Sequence, residues 1–208
     1  MPDGGWLLAV ADGMGGHAGG AVAAEIAVAC LAKLIPPRRA SLAEAFVAAC
    51  RAMDVRAAGE PELAHMGTTL TAAVAQEGRL TWCHLGDSRL YLWRQGSLSQ
   101  VTRDDTVVQE LLDSGSLNRE EARVHPTRHL LYECLGCGDC QPACGEEPLH
   151  PGDLVLLTSD GLHGELPNRD LAAVLAGEGA PADKTARLVS QALEAGGRDN
   201  VTAVLLEW

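Results

Sequence analysis

Four aspartates sit where apolar runs end or bend, and that placement constrains this chain more than any other feature. The run Trp6-Leu7-Leu8-Ala9-Val10-Ala11 delivers Asp12 into a glycine-rich stretch, Gly13-Met14-Gly15-Gly16-His17. Leu154 to Leu157 lead into Thr158-Ser159-Asp160-Gly161, and Arg198-Asp199-Asn200 precede the run Val201 to Leu206. A fourth segment, Leu85-Gly86-Asp87-Ser88-Arg89, interrupts an alternating strand pattern. Strand ends that gather carboxylates must manage their repulsion. Two like charges about 4 Å apart, at an effective dielectric near 20, cost roughly 4 kcal/mol. A cation held between them removes that cost. Hard oxygen donors favour magnesium or manganese over zinc.

The remaining pattern frames these segments. Trp6 to Ala11 reads as a buried strand. Gly19 to Ile35 reads as an alanine-rich helix stopped by Pro36-Pro37. Ser41 and Glu44 form a capping-box pattern for a second helix that runs to about Ala58. Thr68 to Gln76 and Arg79 to Leu85 make a hairpin through Glu77-Gly78. Arg89 to Trp93 and Leu98 to Val101 make another through Gln95-Gly96. Thr106 to Ser114 is helical and closes at Gly115, and Asn118 with Glu121 caps a short helix. Asp153 to Thr158 and Val201 to Glu207 are strands, with helices Asn168 to Ala176 and Ala182 to Ala195 between them. This is not the steady strand-helix alternation of a doubly wound sheet. It fits an α+β fold in which two sheets pack face to face with helices outside. At 208 residues the chain reads as a single domain, 1–208, with a substantial core.

A formal net charge of -12 opposes nucleic-acid binding, which needs clustered Lys and Arg. Much of that charge serves as a solvated acidic surface. No run of 18 uncharged apolar residues occurs. Ala21 to Ile35 comes nearest, but Glu25 and Lys33 interrupt it, so no membrane span is expected. The first residues lack the basic-then-apolar layout of a leader peptide, and a cytoplasmic setting is expected. Seven cysteines, an odd number, then imply reduced thiols rather than a disulfide framework. Cys30, Cys50 and Cys83 lie in apolar contexts that suit packing. Cys134, Cys137, Cys140 and Cys144 follow the C-x2-C-x2-C-x3-C spacing of a four-iron ligand run. Gly145 stands where proline is expected, and an extended strand there would scatter the thiols to opposite faces. Chance or redox-sensitive thiols, and an iron-sulfur or zinc site, remain the two readings of this run.

A lone Asp-Gly occurs in any turn. Several segments in order carry far more. The four acidic segments are interleaved with Gly67-Thr68-Thr69-Leu70, Thr102-Arg103-Asp104-Asp105-Thr106, Glu121-Ala122 with His125-Pro126, Leu135-Gly136 and Pro151-Gly152-Asp153. Together, from about Trp6 to the C-terminus, they resemble the type 2C protein phosphatases, the metal-dependent serine/threonine phosphatases. The Asp-Gly-Met-Gly-Gly-His form is bacterial in style.

The resemblance implies a four-layer αββα sandwich, two mainly antiparallel sheets with helices outside. It implies hydrolysis of phosphoserine and phosphothreonine with two Mn2+ or Mg2+ ions and a water they activate. Carried over by motif, Asp12 bridges the ions, the Gly13 carbonyl ligates one, and Asp160 and Asp199 complete the other. Asp87 contributes to a third, weaker site. His17 either donates a proton to the leaving oxygen or caps the following helix, because Met14 stands where members with a defined acid carry His. Arg89 is expected to pair with carboxylates behind the site. Thr102 to Asp105 and the helix after them correspond to the flap that shapes substrate access. The implied partners are phosphorylated proteins, with a serine/threonine kinase or its targets among them.

The pattern also departs from the family. Met1 to Gly5 offer neither the phosphate-holding Arg nor the Asn-x-Asp segment, and the Asp3 context reads as a turn. Gly164 stands where many members have an acid, which weakens the third ion. Two further readings follow. One is a catalytically weak or inactive pseudophosphatase acting as a binding or regulatory module. The other is a phosphatase that senses redox state or metal through Cys134 to Cys144.

Overall fold

The computed structural model describes residues 4–14, 19–35 and 40–208. His17, the Asp3 turn and the Pro36-Pro37 helix stop lie outside the described residues.

The chain runs β1 (Trp6–Val10), β2 (Gly13–Met14), α1 (Gly19–Leu34), α2 (Leu42–Gly59), a short 3-10 turn, β3 (Gly67–Thr68), β4 (Leu70–Gln76) and β5 (Arg79–Leu85). It continues through β6 (Arg89–Arg94), β7 (Ser97–Gln100), α3 (Val107–Asp113), α4 (Arg119–Val124) and β8 (Ala143–Pro148). The last elements are β9 (Leu154–Thr158), α5 (Asp160–His163), α6 (Asn168–Ala176), α7 (Pro181–Ala195) and β10 (Ala203–Glu207). One sheet has the order β1-β4-β5-β8, the other β10-β9-β6-β7, and β2 pairs with β3 alone. Each of these strand pairs is antiparallel.

Strand alternation divides the side chains among three cores. Leu70 and Ala72 of β4 face α1 and α2, where they meet Ala27, Leu31, Phe46 and Met53. Ala73 and Ala75 point the other way, into an inter-sheet core with Leu8, Leu90, Val155 and Leu157. Leu154 and Leu156 face outward from the second sheet onto Leu162, Leu171, Leu175 and Leu188 of α5, α6 and α7. The layers are therefore helix, sheet, sheet, helix, as expected. The hydrophobic 47% contains few aromatics, so small and branched aliphatics fill these layers.

Local chemistry accounts for most boundaries. Ser41 and Glu44 close a reciprocal capping box on α2, and Asn118 and Glu121 do the same on α4. Both hairpins turn through consecutive residues with positive φ, Glu77-Gly78 and Gln95-Gly96, which matches the twist of the flanking strands.

Three expectations require correction. The strand read as Thr68 to Gln76 breaks at Thr69, because β3 pairs with β2 whereas β4 pairs with β1. β8 went unread: its sequence Ala-Cys-Gly-Glu-Glu-Pro lacks the alternation of a half-buried strand. It exists because β5 offers it an edge and Gly145 lies under the Trp82 ring, where a Cβ would come within 2.6 Å.

The cysteines differ most. Cys83 and Cys144 lie opposite each other in the β5–β8 register and form a disulfide, and Cys134 and Cys137 form a second. Reduced thiols are thus not what the structure holds at these four positions, and Cys83 is more than a packing residue. Cys30, Cys50 and Cys140 are free. The four-cysteine run is split, because β8 carries Cys144 away to β5.

Candidate metal centre

Antiparallel pairing gathers the acidic segments at one end of the sandwich. Thr158, at the end of β9, pairs with Ala203 at the start of β10 and with Arg89 at the start of β6. In the other sheet Val10 pairs with Thr71, and Leu70 with Leu85. The segments that carry Asp12, Asp87, Asp160 and Asp199 all emerge at this end.

Each acid is held by specific contacts. The Asp12 N–H donates to Thr69 Oγ1 at 3.1 Å, and the Thr69 N–H donates to the Asp12 carbonyl at 2.8 Å. Thr69 Oγ1 also shares a 2.7 Å hydrogen bond with Ser88 Oγ, so the segment beside Asp87 is tied to the one beside Asp12. Ser159 links the other two. Its hydroxyl donates to the Asn200 carbonyl at 3.1 Å and accepts from the Thr202 N–H at 3.0 Å. Gly161 lies so close to the Asn200 carbonyl that a side chain there would collide with it. Gly13 and Gly20 likewise meet backbone to backbone, which seats α1 against β2.

The result is an electrostatically loaded cluster. Burial, then the charge and hydrogen bond of Asp160 and the charge of Asp199, push the Asp12 carboxyl up to about 7. Burial, followed by the charges of Asp160, Asp104 and Asp12, pushes the Asp87 carboxyl up to about 8. Asp160 Oδ1 is buried with no hydrogen-bond partner. An orphaned carboxylate oxygen among repelling acids is what a divalent cation would satisfy, so the residues present fit such an ion. Even so, among the described residues no three His, Cys, Asp or Glu side chains are already arranged around an ion position. Asp12 meets Asp160 directly, while the exposed Asp199 folds its Oδ1 back onto the Asn200 N–H at 2.7 Å.

Arg89 behaves as expected behind the site. Its guanidinium grips Asp104 at 2.7 to 3.1 Å and donates to the Tyr91 hydroxyl at 3.1 Å. Asp105, next in the chain, accepts from the Gly86 N–H at 2.8 Å. Gly164 lies against Asp160, its N–H donating to the Asp160 carbonyl at 2.7 Å.

Two contributors escaped the sequence reading. His129, in the loop after α4, brings Nδ1 to 3.4 Å from Asp160 Oδ2. Its signal was proximity to His125-Pro126, which marked the segment but not the residue. Thr69 was noted as part of a motif, and nothing in its spacing disclosed that it holds Asp12.

Comparison with known proteins agrees with this architecture. The family model for protein phosphatase 2C matches residues 1–207. The serine/threonine protein phosphatase PstP of Mycobacterium tuberculosis is 41% identical over 206 residues, which are 97% of this chain and 40% of that protein. The chain thus spans less than half the length of that relative. The serine/threonine phosphatase stp of Listeria welshimeri is 33% identical over 211 residues, covering 97% of this chain and 84% of stp. A solved structure of the PstP catalytic domain in complex with two manganese ions matches with a TM-score of 0.89 at 39% identity, covering 97% of this chain and 86% of that one. From the match along nearly its whole length, the gathered acids and the four layers, the chain belongs to the protein phosphatase 2C family.

Proposed function

We propose that this chain is a single phosphatase domain, residues 1–208, that hydrolyses phosphoserine and phosphothreonine in proteins with Mn2+ or Mg2+. The observation that carries the reading is the buried, partnerless Asp160 Oδ1 beside Asp12 and within the field of Asp87 and Asp199. The manganese-bound PstP relative supports the choice of ion. In this reading Asp12, the Gly13 carbonyl, Asp160 and Asp199 hold two ions, and Asp87 serves a third.

When bound, divalent cations would supply Lewis acidity toward the phosphoryl oxygens and lower the pKa of water. The chain's own residues do the rest. Thr69 and Ser159 fix the backbone around Asp12 and Asp160. Arg89 neutralises Asp104 behind them, which keeps one more negative charge from the phosphate. The loop after α4 carries His129 to the rim of the site beside Asp160, where it borders the substrate's approach. His17 keeps both of its readings, proton donor to the leaving seryl oxygen, a role suited to an imidazole, or cap of the following helix.

The partners in this reading are phosphorylated proteins and a kinase that opposes the enzyme, in the cytoplasm. Among the described residues no helix is long and apolar enough to cross a membrane.

Turnover of p-nitrophenyl phosphate and of a phosphothreonine peptide with added Mn2+ tests the proposal. We expect manganese-dependent, chelator-sensitive hydrolysis that Asp12→Asn and Asp160→Asn each abolish. Peptide binding without turnover at any metal concentration would overturn it in favour of a binding module.

A further inference from the structure

The cysteines form a second constellation, apart from the acids. Cys134 to Cys140 make a tight loop after α4. The Cys137 N–H donates to the Cys134 carbonyl at 3.2 Å, and Gly136 and Gly138 take positive φ values of 85° and 135°. Leu135 is anchored to Thr68 by two backbone hydrogen bonds, 3.0 and 2.9 Å. The sulfurs of Cys134 and Cys137 both face β3: a Cβ on Gly67 would stand 3.2 and 3.5 Å from them. From the other side α2 presents Cys50. Cys50 belongs to the same packed cluster as Leu135, with Cys140 against it, and its sulfur neighbours the Cys140 thiol and the Gly136 N–H. Two sulfurs bonded to each other and two neighbouring ones therefore lie beside the Leu135-Gly136 turn. Cys144 is not among them, because it is bonded to Cys83.

We propose that, once the Cys134–Cys137 disulfide is reduced, Cys50, Cys134, Cys137 and Cys140 bind one Zn2+ as a closed tetrathiolate site. As the disulfide stands, among the described residues no three ligating side chains are set around an ion. A dithiol reductant delivers two electrons and two protons to the S–S bond, yields two thiols and itself becomes a disulfide. The four thiols then release their protons to solvent as the ion binds.

Three features select zinc. Cys-x2-Cys is the ligand spacing of structural zinc sites, and a ligand from a distant element completes them. A Zn–S bond of about 2.3 Å places tetrahedral sulfurs roughly 3.8 Å apart, which is the spacing of sulfurs in contact. A four-iron cluster spreads its cysteines wider. Cys50 and Cys134 are buried, Cys140 is half-buried and Cys137 is exposed; four thiolates fill the tetrahedral shell, so the site would be structural and without an open position. It would lock α2 to the loop that holds β3, one residue from Thr69.

The test uses the full chain, reduced with a phosphine and stripped of metal, then titrated with Zn2+ against a chromophoric chelator and separately with Co2+. We expect one thiolate-bound ion per chain, with sulfur-to-cobalt charge-transfer absorption that zinc displaces. Asp160→Asn and Cys144→Ser should keep that absorption. Cys50→Ser and Cys140→Ser should each weaken zinc binding by ~10-fold or more. Should Cys50→Ser fail to fold, Cys140→Ser on the loop carries the same test.

The proposal is overturned if all seven thiols of the reduced chain titrate yet no thiolate–cobalt band appears. It is equally overturned if Cys144→Ser abolishes the band, or if the protein purifies brown with acid-labile sulfide. Manganese-dependent hydrolysis is read separately, so failure here and failure of the phosphatase reading are distinguishable.

Discussion

The carboxyl groups of Asp12 and Asp160 meet and repel each other, although β1 and β9 deliver them from different sheets. Burial and repulsion oppose their simultaneous ionisation, so the metal-free protein carries stored electrostatic cost at this end of the sandwich. Asp160→Asn should relieve it. We expect the chelator-treated variant at pH 8 to melt a few degrees higher than the parent, on the order of 1 kcal/mol. The same variant should lose Mn2+-dependent hydrolysis by ~100-fold or more, and with it the thermal shift that Mn2+ gives the parent. Scanning calorimetry with and without chelator reads both. Equal stabilisation of parent and variant by Mn2+ would remove Asp160 from the ligand set.

Thr69 supports Asp12 through its hydroxyl. Thr69→Val keeps the shape but leaves the Asp12 N–H and the Ser88 hydroxyl without this partner, at a cost of about 1–3 kcal/mol. Urea unfolding should register that loss, and the Mn2+ concentration for half-maximal activity should rise. Thr69→Ser should restore both. A valine variant with parental manganese response would confine Thr69 to a purely structural role.

Arg89 and Asp104 form a largely buried, bidentate pair, with side chains 23% and 8% exposed. Asp104→Ala strands the guanidinium and should destabilise the fold by about 3–5 kcal/mol. The double variant Arg89→Met/Asp104→Leu should recover much of that loss, because no charge is left unpaired. Chemical denaturation of both single variants and the double variant measures the coupling.

His163 is buried against Thr158, its Nδ1 2.9 Å from the threonine hydroxyl. Burial, then the Arg89 and Arg123 charges, hold its imidazole well below the usual 6.5. Below that value the unfolded chain takes up a proton that the folded chain refuses. Its contribution is therefore fully present above pH 6.5 and is lost as pH falls, by roughly 1.4 kcal/mol per unit. His163→Gln removes this dependence. The stability gap between parent and variant should narrow from pH 7.5 to pH 5.5 in urea titrations. A constant gap would show that the imidazole is not held neutral.

Much of the architecture could be read from local pattern, because its causes are local. The capping boxes at Ser41 and Asn118, the two-residue turns at Glu77-Gly78 and Gln95-Gly96, and the apolar runs before Asp12 and Asp160 each act within a few residues. β8 was illegible for the opposite reason: its sequence is poor strand material, and the free edge of β5 makes it a strand.

The sequence alone determined which chemistry was available: four aspartates at strand ends, a motif order shared with a phosphatase family, and seven thiols. Only the tertiary structure decided which of these groups meet. Packing of the two sheets brought Asp12 to Asp160, and His129 reaches the same carboxylate. Antiparallel register sent Cys144 to Cys83, and the packing of α2 put Cys50 beside Cys140. The physical reason is that spacing along a chain governs proximity only within a turn or a hairpin. Between residues 50 and 140, or 12 and 160, proximity is set by which apolar faces pack together.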